Sequence, residues 1–210
     1  MTAGAWAVGV LLIAVELGRS VPALRRVVSR RSSDAVSPES IAVLAGFGIG
    51  WVLLAWLLSA WMVLIATTLW LAFHILLCRA VWYVSPDKRK RIVRTFFVSV
   101  LLLAALTFVL QPSFGLNTSL GIVLGVATLL HSVPALVEGL ASRTTLGLSI
   151  QALTINTMEG IIYLVIGAGW ITIAAEPGGI VGYTLYGVVS VLCNAPRIIR
   201  VVYRRLLKFE

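Results

Sequence analysis

Ser20-Val21-Pro22-Ala23-Leu24 returns, letter for letter, as Ser132-Val133-Pro134-Ala135-Leu136, at an offset of 112 residues in a chain of 210. Each copy lies near the end of a long apolar run and leads into a basic, hydroxyl-rich segment. A proline-bearing apolar segment that occurs twice divides the chain into two related halves, and internal repeats in membrane proteins point toward transporters. Without gaps, 20–51 laid on 132–163 gives nine identities in 32 positions, among them Arg31 with Arg143, Ser37 with Ser149, Gly48 with Gly160 and Ile49 with Ile161. Trp51 with Tyr163 is a conservative pair in the same register. Chance likeness between apolar segments matches Leu and Val. It does not keep Pro, Arg, Ser and Gly in step.

The chain is 60% hydrophobic and 12% charged, with a mean hydropathy of +1.01, whereas soluble domains carry roughly 25% charged residues. This is the composition of an all-α integral membrane protein. The first apolar run has no basic leader and no small-residue cleavage site, so it is expected to stay as a helix. A crossing of about 30 Å needs about 20 residues. Runs of that kind predict seven helices, at about 3–27, 38–59, 61–83, 92–111, 117–141, 149–174 and 179–206. Ser59-Ala60 marks a tight reversal, while Gln111-Pro112-Ser113-Phe114-Gly115 and Glu176-Pro177-Gly178-Gly179 mark breaks.

With the amino terminus outside, all 17 Lys and Arg residues fall at inner helix ends or inner loops, leaving none on the outer side. The positive-inside rule therefore predicts an outer amino terminus and a cytoplasmic carboxyl terminus in the cell membrane. It also accounts for the net charge of +9 as topological charge facing anionic lipid rather than nucleic acid. Residues 1–84 form a first three-helix repeat, 85–115 a basic inner loop and a linker helix, and 116–210 a second three-helix repeat. The extra crossing restores the orientation that an odd repeat unit would reverse, so the two bundles are expected to be parallel.

This layout resembles the SWEET sugar transporters and the wider PQ-loop (MtN3-like) group. The resemblance rests on Pro22, Arg30-Arg31-Ser32-Ser33, Ser37, Gly48 and Trp51 in one half, and on Pro134, Arg143-Thr144-Thr145, Ser149, Gly160 and Tyr163 in the other. Asn194-Ala195-Pro196-Arg197 adds a third echo. The chain departs from the family in having Ala rather than Gln after each repeat proline, and in lacking a proline within the second helix of each unit beyond Pro38 at its start. The resemblance implies a transporter of a small polar solute working by alternating access. A sugar carried down its gradient is the favoured case, with Trp51 and Tyr163 flanking the solute and Asn194 touching it. It places Glu159 where the family has Asn.

The residues support roles of their own. A proline inside a helix removes a backbone hydrogen bond and bends the helix, so Pro22 and Pro134 read as a pair of hinges or as static kinks. Trp51 and Tyr163 present ring faces suited to a small polar ring, or to helix packing. Glu159 lies near the midplane, where a carboxylate is costly unless it is functional, and can carry a proton. Asn156, one turn away, is placed to hydrogen-bond it. Glu16 and Arg19, three apart on one face, read as a local ion pair. His74 on the third helix is an alternative solute contact to Arg79. Cys78 and Cys193 lack disulfide or metal spacing and read as small core residues. There is no phosphate loop, no metal-ligand cluster and no nucleophile–base arrangement, so no enzyme activity and no cofactor are expected. Two alternatives to a sugar uniporter stay open: a proton-coupled transporter of an amino acid or cationic solute that uses Glu159, and a PQ-loop-like receptor or chaperone that binds without transport. Assembly of identical copies is left open.

Overall fold

The computed structural model describes residues 3–31, 37–141, 150–168 and 177–206. Within them every regular element is helical: α1 (Ala3–Arg30), α2 (Pro38–Leu57), α3 (Trp61–Val84), α4 (Arg89–Phe114), α5 (Leu116–Ala141), α6 (Ile150–Gly167) and α7 (Pro177–Leu206), with a single 3-10 turn at Pro86–Lys88. Among the described residues five helices are long and apolar enough to cross a membrane, and α5 and α6 contribute the shorter apolar stretches Leu116–Leu130 and Leu153–Gly167. The second-half loop motif, Ser142 to Ser149, and Glu176 lie outside the described residues.

Local chemistry sets the boundaries. Ser37 caps α2 by accepting from the Ser40 backbone N–H, with Pro38 in the first helical turn, where its missing N–H costs nothing. The α2–α3 reversal falls where Ser59-Ala60 predicts it. Ser59 takes a left-handed φ of 52°, and the Ala60 N–H reaches back to the Ala55 carbonyl at 2.9 Å. The break expected at Gln111-Pro112 moves. α4 runs through Pro112 and stops at Gly115, whose φ of 75° is the conformation that glycine supplies at a helix end. Pro112 withdraws a donor only from the Phe108 carbonyl, in the exposed turn that precedes the last one.

The helices pack in two trios of like order. α3 joins α1 and α2, and α7 joins α5 and α6. Between the trios α1 lies against α6 and α2 against α5, while α4 packs on both α2 and α5. The main core gathers Leu12, Phe47, Trp51, Leu54, Leu120, Leu124, Ile162, Tyr163 and Tyr183 where the trios meet. A smaller cluster of Val27, Ile41, Leu77, Val81 and Ile92 fills the basic end of the first trio. At that end Glu39 pairs with Arg91 at 3.6 Å, and Arg89 donates to the Trp82 carbonyl at 3.0 Å.

The two trios are built with different side chains. Around α7 the approach is backbone to backbone. A Cβ on Gly121 would run into the Gly178 carbonyl, and one on Gly187 would sit 2.6 Å from the Gly160 carbonyl oxygen. Small residues permit such close crossings in the absence of a strong hydrophobic drive between helices in lipid. In the first trio the equivalent space is filled by bulk: a Cβ on Gly48 would meet the Trp70 ring at 2.8 Å, and one on Gly9 the Met62 side chain at 2.7 Å.

Gly121→Ala should therefore force α5 from α7 and lower stability by about 1–3 kcal/mol. Gly18→Ala places its methyl 3.7 Å from Ile155 in ordinary contact, and should leave stability unchanged or higher by about 0.5–1 kcal/mol through helix propensity. Melting of the purified protein in detergent, followed by fluorescence, checks the pair. Equal losses would contradict the close α5–α7 crossing.

Candidate functional site

Trp51 projects from α2 into the seam between the trios and meets three tyrosines. Its ring centroid lies 6.4 Å from Tyr163 on α6, 5.8 Å from Tyr183 and 5.5 Å from Tyr186, both on α7. Tyr183 stacks on Trp51 and also on Tyr163, at 5.5 Å, and Tyr186 meets Tyr163 edge-on at 4.8 Å. The matched aromatics of the two halves thus come together, as parts of a quartet. Tyr183 and Tyr186 are not signalled by the repeat. Their one trace in the sequence is their spacing of three, which puts both on one face of α7.

Beside the quartet lies a cavity of about 210 Å³. Trp51, Trp70, His74, Asn156 and Tyr186 line it, with Ser20, Thr128 and apolar neighbours, so that every helix except α4 contributes. None of the described lining residues is Asp, Glu, Lys or Arg. His74 sits 4.4 Å from Trp70, ring to ring, and its Nδ1 is 2.8 Å from the Trp70 carbonyl oxygen. A carbonyl only accepts, so Nδ1 carries the hydrogen, and in the neutral ring Nε2 is the accepting nitrogen. Thr128 uses its hydroxyl hydrogen on the Leu124 carbonyl at 3.0 Å.

On the other side of the same aromatic wall is a chamber of about 20 Å³, lined by Glu16, Thr67, Glu159 and Tyr163 together with Trp51, Trp70 and Tyr186. That is room for about one water molecule. Both carboxylates are 2% exposed. Tyr186 donates its hydroxyl to Glu159 Oε1 at 2.6 Å. The partner found for Glu159 therefore comes from the neighbouring helix and not from Asn156, whose side-chain oxygen has no hydrogen-bond partner. The reason is rotational. Asn156 turns toward the larger cavity and Glu159 toward the small chamber, while the Asn156 backbone carbonyl accepts from Ser190 on α7 at 2.9 Å. Glu16 comes from the opposite trio, and its burial beside the Glu159 chamber was not visible in its sequence neighbourhood. The side chain of Arg19, its expected partner, lies outside the described residues.

Asn194 takes no part in lining either space. Its amide donates to the Ser190 carbonyl at 2.7 Å and its oxygen accepts from Arg197 at 3.4 Å, one polar step nearer the basic end of α7. Pro22 and Pro134 sit inside continuous helices, with the Pro22 ring exposed. The Pro134 side chain is outside the description. Cys78 and Cys193 are free thiols, and no group of three or more metal-ligating side chains occurs among the described residues. Comparison with protein-family models, with curated proteins and with solved structures finds no match for this chain.

The two tyrosines of α7 should respond oppositely to loss of a hydroxyl. Tyr186→Phe withdraws a donor from a buried carboxylate, at about 1.5–3 kcal/mol. The Tyr183 hydroxyl is buried without a partner, so Tyr183→Phe should be neutral or stabilising. Detergent melting curves of both variants check this. A stable Tyr186→Phe would break the link between the quartet and Glu159.

Proposed function

We propose that the chain is a seven-span transporter of the SWEET and PQ-loop kind, moving a small, neutral, ring-shaped polar solute by alternating access, with a sugar as the favoured solute. The observation that carries the reading is the cavity between the trios, whose described lining holds no Asp, Glu, Lys or Arg, walled by aromatic rings and by hydrogen-bonding side chains and drawn from every helix except α4. The duplicated sequence register and the like packing order of the two trios support parallel repeats. The placement of all 17 basic residues supports an outer amino terminus, a cytoplasmic carboxyl terminus and residence in the cell membrane.

Size and chemistry narrow the solute. An apolar cavity of about 150 Å³ takes a benzene ring. A space of about 210 Å³ suits one substituted ring better than two linked ones. The faces of Trp51 and Trp70 offer flat apolar contact to the C–H surface of such a ring, and Ser20, His74, Thr128 and Asn156 supply polar groups on the same lining. The cavity lies on the side of the quartet nearer the basic helix ends. Transport then requires the four rings to part on the far side while the basic end closes, with bending at Pro22 and Pro134 as the hinge.

A second reading is favoured by one contact. Tyr186 walls the cavity and donates to Glu159, so protonation of that carboxylate would be felt at the solute, and transport would be proton-coupled.

Purified protein in liposomes, offered radiolabelled hexoses, pentoses, cyclitols and amino acids, tests both readings. Saturable sugar flux independent of a pH gradient is expected. Trp51→Ala should weaken the solute at least about tenfold, or 1.4 kcal/mol, while Asn194→Ala stays within about threefold of wild type. The Pro22→Ala/Pro134→Ala variant should lose flux and keep binding. Uptake that needs a pH gradient and dies with Glu159→Gln would establish the second reading. Saturable binding without flux of any solute would make the protein a receptor and sink both.

A further inference from the structure

We propose that Ser20 and Asn156 form a two-point hydrogen-bonding subsite on the α1–α6 seam, one that takes hydroxyl groups of the solute and refuses anionic ones. The inference deepens the transporter reading and rests on it. Both residues line the larger cavity, Ser20 from α1 and Asn156 from α6, and these two helices form one of the contacts between the trios. Ser20 is 8% exposed. Its hydroxyl oxygen and the Asn156 side-chain oxygen are both buried with no hydrogen-bond partner. Roughly 90% or more of buried polar groups are bonded to something. Two residues that line one cavity from different helices thus each carry an unsatisfied buried oxygen, which points to a partner held between them.

Several neighbouring polar groups are already engaged. Thr128 donates to the Leu124 carbonyl, the Tyr186 hydroxyl to Glu159, and His74 Nδ1 to the Trp70 carbonyl. Ser20 and Asn156 add two oxygens whose hydrogen-bonding capacity is unused.

Their chemistry defines what they take. An amide oxygen only accepts, so the group facing it must bring an O–H or an N–H. A serine hydroxyl does both. Among the described lining residues no Lys or Arg is present to neutralise a carboxylate or phosphate, and no Asp or Glu to neutralise an ammonium, so against them a charged group would be buried uncompensated. A neutral hydroxyl meets every condition. Ser20 also stands two residues before Pro22, and the proline leaves the Gly18 carbonyl without its helical donor. Bending at that point would shift Ser20 against Asn156. A solute held by both would then tie α1 to α6, so that occupancy and hinge position are linked.

The test uses the full chain in liposomes with D-glucose, its singly deoxygenated derivatives and D-glucuronate as probes. Wild type is expected to carry glucose and to exclude glucuronate at least tenfold. Ser20→Ala and Asn156→Leu should each raise the KM for glucose about tenfold with little change in kcat. Ser20→Thr should retain most of the affinity. On the one deoxy derivative that lacks the hydroxyl facing Asn156, Asn156→Leu should cost nothing further. Because the removed groups are unpartnered in the empty protein, Ser20→Ala should melt at or above the wild-type temperature, which a packing role would not produce. Glucose transport that survives both substitutions within twofold, while Trp51→Ala abolishes it, would overturn the subsite and leave the transporter reading standing. No flux of any probe by wild type would overturn both.

Discussion

Trp51 reaches from α2 across the seam between the trios, and three tyrosine rings close on it from α6 and α7. Lipid gives helices little hydrophobic reason to associate, because the tails are as apolar as the side chains. What holds the trios together must then lie in the shape of the seam. The contacts of the Trp51 ring with the three tyrosines, at 5.5–6.4 Å, supply it. Within the second trio, the hydroxyl of Tyr186 on the buried Glu159 carboxylate fixes one of the rings that Trp51 meets. The same rings form the wall shared by the larger cavity and the small chamber, so one interaction both joins the halves and separates the two polar spaces between them.

Much of the fold was legible because membrane helices announce themselves by length. Every expected helix corresponds to one in the structure, and the tight reversal at Ser59-Ala60 is where the interruption of an over-long apolar run puts it. The end of α4 was misplaced because proline is a weaker stop than a glycine with positive φ when the proline's orphaned carbonyl lies in an exposed turn. At the site, the repeat singled out Trp51 and Tyr163, depth in the membrane singled out Glu159 with Asn156 one turn away, and His74 was named from the third helix; the structure sets all five around the two adjoining spaces. The family resemblance set Asn194 against the solute, while α7 turns that residue to Ser190 and Arg197. Tyr183, Tyr186, Trp70, Ser20 and the buried position of Glu16 needed coordinates. Each acquires its role from a helix far away in sequence.

The trios differ in how they resist deformation. Around α7, backbone lies on backbone at the Gly121–Gly178 and Gly160–Gly187 crossings. Such contacts have no rotamers with which to yield, so α5, α6 and α7 are expected to move as one piece. In the first trio Gly48 faces Trp70 and Gly9 faces Met62, side chains that can swing. A rearrangement of the seam would fall on α1, α2 and α3 first, and α1 carries Pro22.

α4 stands apart from the cavity yet packs on both trios, through α2 and α5. As a strap it makes the halves one gene product, and that frees each from having to mirror the other. In the 112-residue register Glu159 falls opposite Phe47, and Glu16 opposite Thr128. A homodimer of half-length chains would carry every acidic side chain twice at its axis and face mutual repulsion there. The fused molecule can hold a carboxylate on one wall and a benzyl group on its counterpart, so its central space has two chemically distinct sides on which selection can act independently.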